Sequence, residues 1–190
     1  MEGFLVSTGV VALAEIGDKT QLLALVLAAR YQRPLPIIGG ILVATLANHA
    51  LAGAVGAWLA AAIGPDALRW ILGLSFLAMA VWTWIPDSYD EAKEAAPARF
   101  GVFGATLIAF FLVEMGDKTQ IATVALAAKY ASLAAVVAGT TLGMLLANVP
   151  AVLLGEAAAR KLPMRLVHGI AAAIFAALGV LMLLGVGAPV

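Results

Sequence analysis

Two apolar runs in this chain carry the same charged heptapeptide. Glu15-Ile16-Gly17-Asp18-Lys19-Thr20-Gln21 lies in a run from about Phe4 to Ala29, and Glu114-Met115-Gly116-Asp117-Lys118-Thr119-Gln120 lies in one from about Val102 to Ala128. The copies start 99 residues apart and agree at six of seven positions. About 20 apolar residues in a row are enough to cross the hydrocarbon of a bilayer. A charge at the centre of such a helix costs roughly 2.5–3.5 kcal/mol, so the six charges of the two copies cost on the order of 15–20 kcal/mol. A chain retains them only where they face one another, water or an ion. The two copies therefore read as two halves of one cation site.

Composition agrees with a lipid environment. The chain is 64% hydrophobic and 12% charged, against about 45–50% and about 25% for soluble domains. Its formal net charge is zero, which points to no nucleic-acid partner. It has no cysteine, so disulfides and thiolate metal sites are excluded. Met1-Glu2-Gly3 lacks the basic start of a signal peptide, and the first apolar run is expected to be a retained helix.

Six segments are long enough to span: about 4–29, 35–62, 67–85, 101–128, 133–157 and 165–187. Pro34 and Pro36 close the first segment, and Gly64-Pro65 closes the second. Trp70, Trp82 and Trp84 mark the two ends of the third, where interfacial aromatics belong. The similarity between halves extends past the heptapeptide. Leu27-Ala28-Ala29-Arg30-Tyr31 matches Leu126-Ala127-Ala128-Lys129-Tyr130, and Leu46-Ala47-Asn48 matches Leu146-Ala147-Asn148 at an offset of 100. Three crossings per half force the second half to enter from the opposite side. The expected fold is an all-α membrane protein of six transmembrane helices, arranged as two inverted three-helix repeats with the site between them. Residues 1–86 form the first repeat, 87–100 a linker, and 101–190 the second repeat.

Lysines and arginines set the orientation. Arg30, Arg33, Lys93, Arg99, Arg160, Lys161 and Arg165 fall on one side, and Arg69 and Lys129 on the other. Both termini are then expected outside the cytoplasm of a multi-pass inner (plasma) membrane protein, with the linker inside. The linker carries Asp87, Asp90, Glu91, Lys93, Glu94 and Arg99. It reads as a solvated loop, with cation gathering as the sharper alternative.

The motif also specifies a chemistry. Glu15, Asp18, Glu114 and Asp117 carry four negative charges when ionised, and Lys19 and Lys118 return two positive ones. One divalent cation or two protons neutralise the remainder. Oxygen ligands of this kind suit Mg2+, Ca2+ or Mn2+. The four acids are the candidate metal ligands. Lys19, Thr20, Gln21, Lys118, Thr119, Gln120, Asn48 and Asn148 are candidates for additional ligands or for groups that support them. On an unbroken helix Glu15, Asp18 and Gln21 share a face, while Thr20 lies on the far side and bonds a carbonyl one turn back. Gly17 and Gly116 either admit a close partner helix or break their helices; these uses stay open. His49 and His168 read as packing or interfacial residues. Met115, opposite Ile16 in the alignment of the copies, reads as apolar packing, as do Gly39, Gly53, Gly56 and Gly143 as helix contacts.

Two copies of Glu-x-Gly-Asp-Lys-Thr in a six-helix chain of this length resemble the small cation–proton antiporters related to the Golgi calcium/manganese transporters and bacterial manganese exporters. The resemblance covers nearly the whole chain, and both copies fit the family pattern. It implies export of Mn2+ first, then Ca2+, driven by proton entry, with Glu15, Asp18, Glu114 and Asp117 as the ion site. It implies no enzymatic activity and no cofactor apart from the transported cation. The partners it implies are membrane lipid, divalent metal ion and protons, with a homo-oligomer allowed. The alternatives are a passive cation channel and an exporter of small organic cations or amino acids. No nucleophile–base or metalloprotease motif supports an intramembrane enzyme.

Overall fold

The computed structural model describes residues 1–85, 100–155 and 164–186. Among these are eight α-helices and no strand: α1 (Glu2–Glu15), α2 (Lys19–Tyr31), α3 (Pro34–Ala62), α4 (Pro65–Trp82), α5 (Gly101–Glu114), α6 (Lys118–Lys129), α7 (Leu133–Leu154) and α8 (Met164–Leu183). All six apolar segments are helical, but the first and fourth are each split at the charged motif into α1–α2 and α5–α6. Of the two uses left open for Gly17 and Gly116, the break is the one found, for a backbone reason given below. The linker charges between residues 86 and 99, together with Arg160 and Lys161, lie outside the described residues.

The other ends follow local chemistry. Gln32 closes α2 in the left-handed conformation, at φ 52°. Pro34 then opens α3 and Pro65 opens α4, since a first-turn proline has no intrahelical N–H bond to lose. Ser132 caps α7 by accepting from the Ala135 amide at 3.3 Å.

Pro34–Ala62, Leu133–Leu154 and Arg165–Leu183 are long and apolar enough to cross a membrane. The halves of the split segments have 12 to 14 residues each, or about 20 Å of helix, too short to cross alone. Polarity is distributed inside out relative to a soluble domain. Leu5, Leu46, Leu51, Trp58, Leu112 and Leu153 are exposed, while Glu15, Asp18, Asn48, His49, Glu114, Asp117 and Asn148 are buried. That arrangement suits an apolar solvent outside and polar contacts within.

Packing between the halves is reciprocal. α1, from the first half, lies chiefly against α7 of the second, and α5, from the second, lies against α3 of the first. The third helices of the halves, α4 and α8, pack together, with Phe76 and Phe175 stacked at 6.4 Å between centroids. Small residues bring the backbones close. A Cβ at Gly143 would stand 2.7 Å from the Thr8 carbonyl oxygen, and one at Gly139 would stand 2.5 Å from that of Phe4. Gly53 and Gly56 make the same kind of approach to α6 and α7, and Gly39 faces the Phe103 ring, in keeping with small-residue helix contacts. Two apolar clusters result. One joins α1, α4, α6, α7 and α8, and the other joins α1, α2, α3, α5 and α7.

Candidate cation site

Each motif copy folds as a helix end, a turn and a new helix start. α1 ends at Glu15; Ile16 has φ −64° and ψ 115°, and Gly17 has φ 85°. The Asp18 amide donates to the Glu15 carbonyl at 3.1 Å. These are the features of a type II turn, whose third residue needs positive φ and therefore glycine. The second copy repeats them: Met115 at φ −67° and ψ 119°, Gly116 at φ 80°, and an Asp117-to-Glu114 bond of 3.1 Å. Asp18 and Asp117 are then the N-cap residues of α2 and α6, a preferred aspartate position. The Asp18 carboxylate accepts from the Lys19 amide at 2.8 Å.

The last motif residues hold the turn from inside. Gln21 Oε1 accepts the Gly17 amide at 3.0 Å, and Gln120 Oε1 accepts the Gly116 amide at 2.7 Å. Gln21 Nε2 also donates to the Ala147 carbonyl on α7 at 2.9 Å. Thr20 donates its hydroxyl to the Glu15 carboxylate, and Thr119 does the same to Glu114. Thr20 is thus turned toward the acids and not away from them. The far-side placement assumed an unbroken helix, and the turn at Gly17 resets the angular position of everything after it.

The copies are joined across the halves. Lys19 Nζ lies 3.1 Å from Asp117 Oδ1, and Lys118 Nζ lies 3.3 Å from Asp18 Oδ1. Each lysine therefore neutralises the aspartate of the other copy. The exchange is not symmetric in depth: the Lys118 side chain is 5% exposed and that of Lys19 is 19% exposed.

Glu15, Glu114 and Asp117 each present a carboxylate oxygen within 4.8 Å of the others, and all three are buried. Asp18 falls outside this tight triple, beside Lys118. Two like charges at this separation repel by about 3–4 kcal/mol even at an effective dielectric of about 20. A cation or protons among the three would offset that repulsion. Glu15 Oε1 and Glu114 Oε2 have no hydrogen-bond partner among the described residues, so each leaves an acceptor free toward such a guest.

The asparagines divide their polar groups in the same way. Asn48 Nδ2 donates to the Phe111 carbonyl on α5 at 3.0 Å, and Asn148 Nδ2 donates to the Met144 carbonyl at 3.1 Å. Their Oδ1 atoms are buried without a hydrogen-bond partner. His49 is where sequence reasoning missed a site neighbour. It is fully buried, and its Nε2 stands 3.6 Å from Glu114 Oε1. The burial fits the expected packing of His49; what that expectation left out is the acid beside it, because α3 crosses α5 where Glu114 ends that helix. No periodicity in the chain signals that crossing; only the adjacent Asn48, shared by both halves, hinted at it. His168 on α8 is half-buried, and Met115 at the tip of its turn is exposed, so the expectation that Met115 packs is corrected as well.

Comparison with known proteins bears on the whole chain. The profile of the family described as "Divalent cation/proton antiporter GDT1" matches residues 3–91 and 102–188. A protein of Vibrio cholerae serotype O1 named "Putative manganese exporter" is 56% identical over 171 residues, covering 90% of this chain and 84% of that protein. "GDT1-like protein sll0615" of Synechocystis is 29% identical over 171 residues, covering 80% of this chain and 82% of its own. No solved structure matches the chain.

Proposed function

The chain belongs to the GDT1 family of divalent cation/proton antiporters, and on that premise we propose that it exports Mn2+, with Ca2+ next, from the cytoplasm in exchange for protons. The observation that supports this reading is the buried triple of Glu15, Glu114 and Asp117, bounded by the crossed Lys19–Asp117 and Lys118–Asp18 pairs. The lysines balance two acids, and the remaining two negative charges match one divalent cation or two protons. Asp18 completes the proposed ligand set from the edge. Thr20, Thr119, Gln21 and Gln120 hold the acids and turns in place, and Asn48 and Asn148 offer further oxygens. The manganese preference leans on the name of the Vibrio relative.

The same charge rule explains exchange. A site holding the cation or the protons is close to neutral and inexpensive to bury in a membrane, whereas the empty ionised site is costly. Only loaded forms then switch sides, which yields antiport and not leak. The two motif copies belong to inverted three-helix repeats, 1–86 and 101–190, joined by a cytoplasmic linker at 87–100. Both termini lie outside the cytoplasm of an inner membrane protein.

The test is flux in reconstituted proteoliposomes with Mn2+, Ca2+ and Mg2+, with and without a pH gradient. Mn2+ movement should respond to the gradient, and Glu15→Gln and Glu114→Gln should each abolish it while the protein still inserts. Flux indifferent to the gradient would favour a channel. Near-normal Mn2+ flux in either variant would remove that residue from the ligand set.

A further inference from the structure

We infer that His49 contributes a ring nitrogen to the cation site and so weights it toward transition-metal cations over Ca2+ and Mg2+. This rests on the reading of Glu15, Glu114 and Asp117 as that site. His49 lies on α3, outside both motif copies, and its side chain is fully buried. Its Nε2 stands 3.6 Å from Glu114 Oε1, too far for a hydrogen bond. Neither ring nitrogen has a hydrogen-bond partner among the described residues. Buried polar atoms are ordinarily paired, so an unpaired imidazole beside three clustered carboxylates points to a guest that takes its lone pair. The contact is held in register by the preceding residue: Asn48 donates to the Phe111 carbonyl, three positions before Glu114 on α5.

Geometry and donor chemistry agree. Adjacent ligands on an octahedral ion with bonds of about 2.1 Å stand about 3 Å apart. A small side-chain rotation takes the observed 3.6 Å to that value. Carboxylate and amide oxygens alone serve Mg2+, Ca2+ and Mn2+ alike, whereas imidazole favours first-row transition metals over the alkaline earths. The duplicated chain supplies this donor once. Val149 occupies the position equivalent to His49 after the shared Leu-Ala-Asn, so the nitrogen enters from the first half only.

Pulsed electron paramagnetic resonance on the full chain in detergent, loaded with Mn2+, reads the bond directly. The spectrum should show imidazole-nitrogen modulation that changes frequency when the histidines carry nitrogen-15. His49→Gln should remove the modulation, and His168→Gln, at the chain's other histidine, should keep it. Titration of the same samples should show Mn2+ affinity lowered about tenfold or more in His49→Gln, with Ca2+ affinity changed less than about twofold, because glutamine still offers an oxygen. Bound Mn2+ without nitrogen modulation overturns the role of His49 and leaves the carboxylate site standing. An unchanged Mn2+-to-Ca2+ ratio in His49→Gln does the same. Failure of the unaltered chain to bind Mn2+, or full Mn2+ binding by Glu114→Gln, overturns the carboxylate site and the histidine role together. In His168→Gln the remaining histidine is His49, so the isotope experiment on that variant decides the question even where His49→Gln fails to fold.

Discussion

At the scale of the residue, each motif position has its own task. The glutamates present carboxylate oxygens without a hydrogen-bond partner among the described residues, the glycines take positive φ, the aspartates stand at the N-cap positions of new helices, the lysines reach across, and the threonines and glutamines tie the turn together. The lysine pairs are chemically equivalent but differently buried. Removing one partner of a buried ion pair costs about 3–5 kcal/mol, and less where water still reaches the removed partner. Lys118→Met should therefore lower the melting temperature in detergent more than Lys19→Met does. Equal losses would show that the difference in burial has no energetic weight. The division of labour is only partly readable from the letters. Acid, base and amide are evident; which lysine meets which aspartate is not, because the partner lies about 100 residues away.

At the scale of the element, the controlling contact is α1 against α7, where glycines replace side chains. Ala147, which accepts the Gln21 amide, lies four positions from Gly143 on the same helix. Pushing α7 outward therefore disturbs the first motif copy. A Cβ at Gly143 would strike backbone atoms of Thr8 and Ala12, which cannot rotate aside. Gly143→Ala should cost about 1–3 kcal/mol by overpacking and should reduce transport. Gly9→Ala on α1, with nothing near its added methyl, should be neutral or stabilising by up to about 1 kcal/mol. Thermal denaturation of both variants checks the pair, and similar melting points would refute the close approach. The broken helices illustrate a different limit. Glycine followed by aspartate fits a type II turn and an N-cap as well as it fits a close helix contact, and apolar flanks on both sides favour an uninterrupted helix. The turn prevails because it points the threonines at the glutamates and frees the aspartates for the opposite lysines.

For the whole molecule, the consequences are competition and sidedness. Under the proposed exchange, protons and the cation compete for the same carboxylates. Apparent Mn2+ affinity should fall as pH falls, and Mn2+ added to weakly buffered protein should release protons. Affinity independent of pH, with no proton release, would rule out direct competition at these acids. Sidedness has a separate test. A cysteine introduced at Ser88 should react with impermeant thiol reagents only from the cytoplasmic face, and labelling from outside would reverse the topology while leaving the site untouched.

The sequence by itself determined the solvent, the helical class, the duplication and the residues able to meet a cation. Those properties follow from local composition: long apolar runs require lipid, lipid requires every backbone group to be bonded within a helix, and charges repeated inside such runs require partners. Only the tertiary structure decided that the motif helices break at Gly17 and Gly116, that the lysines cross between copies, that Asp18 stands at the edge of the acidic triple, and that His49 faces Glu114. The last three depend on how the α1–α2 and α5–α6 segments and α3 are brought together. Crossing positions arise from glycine contacts and side-chain packing between distant segments, which no local pattern in the chain encodes.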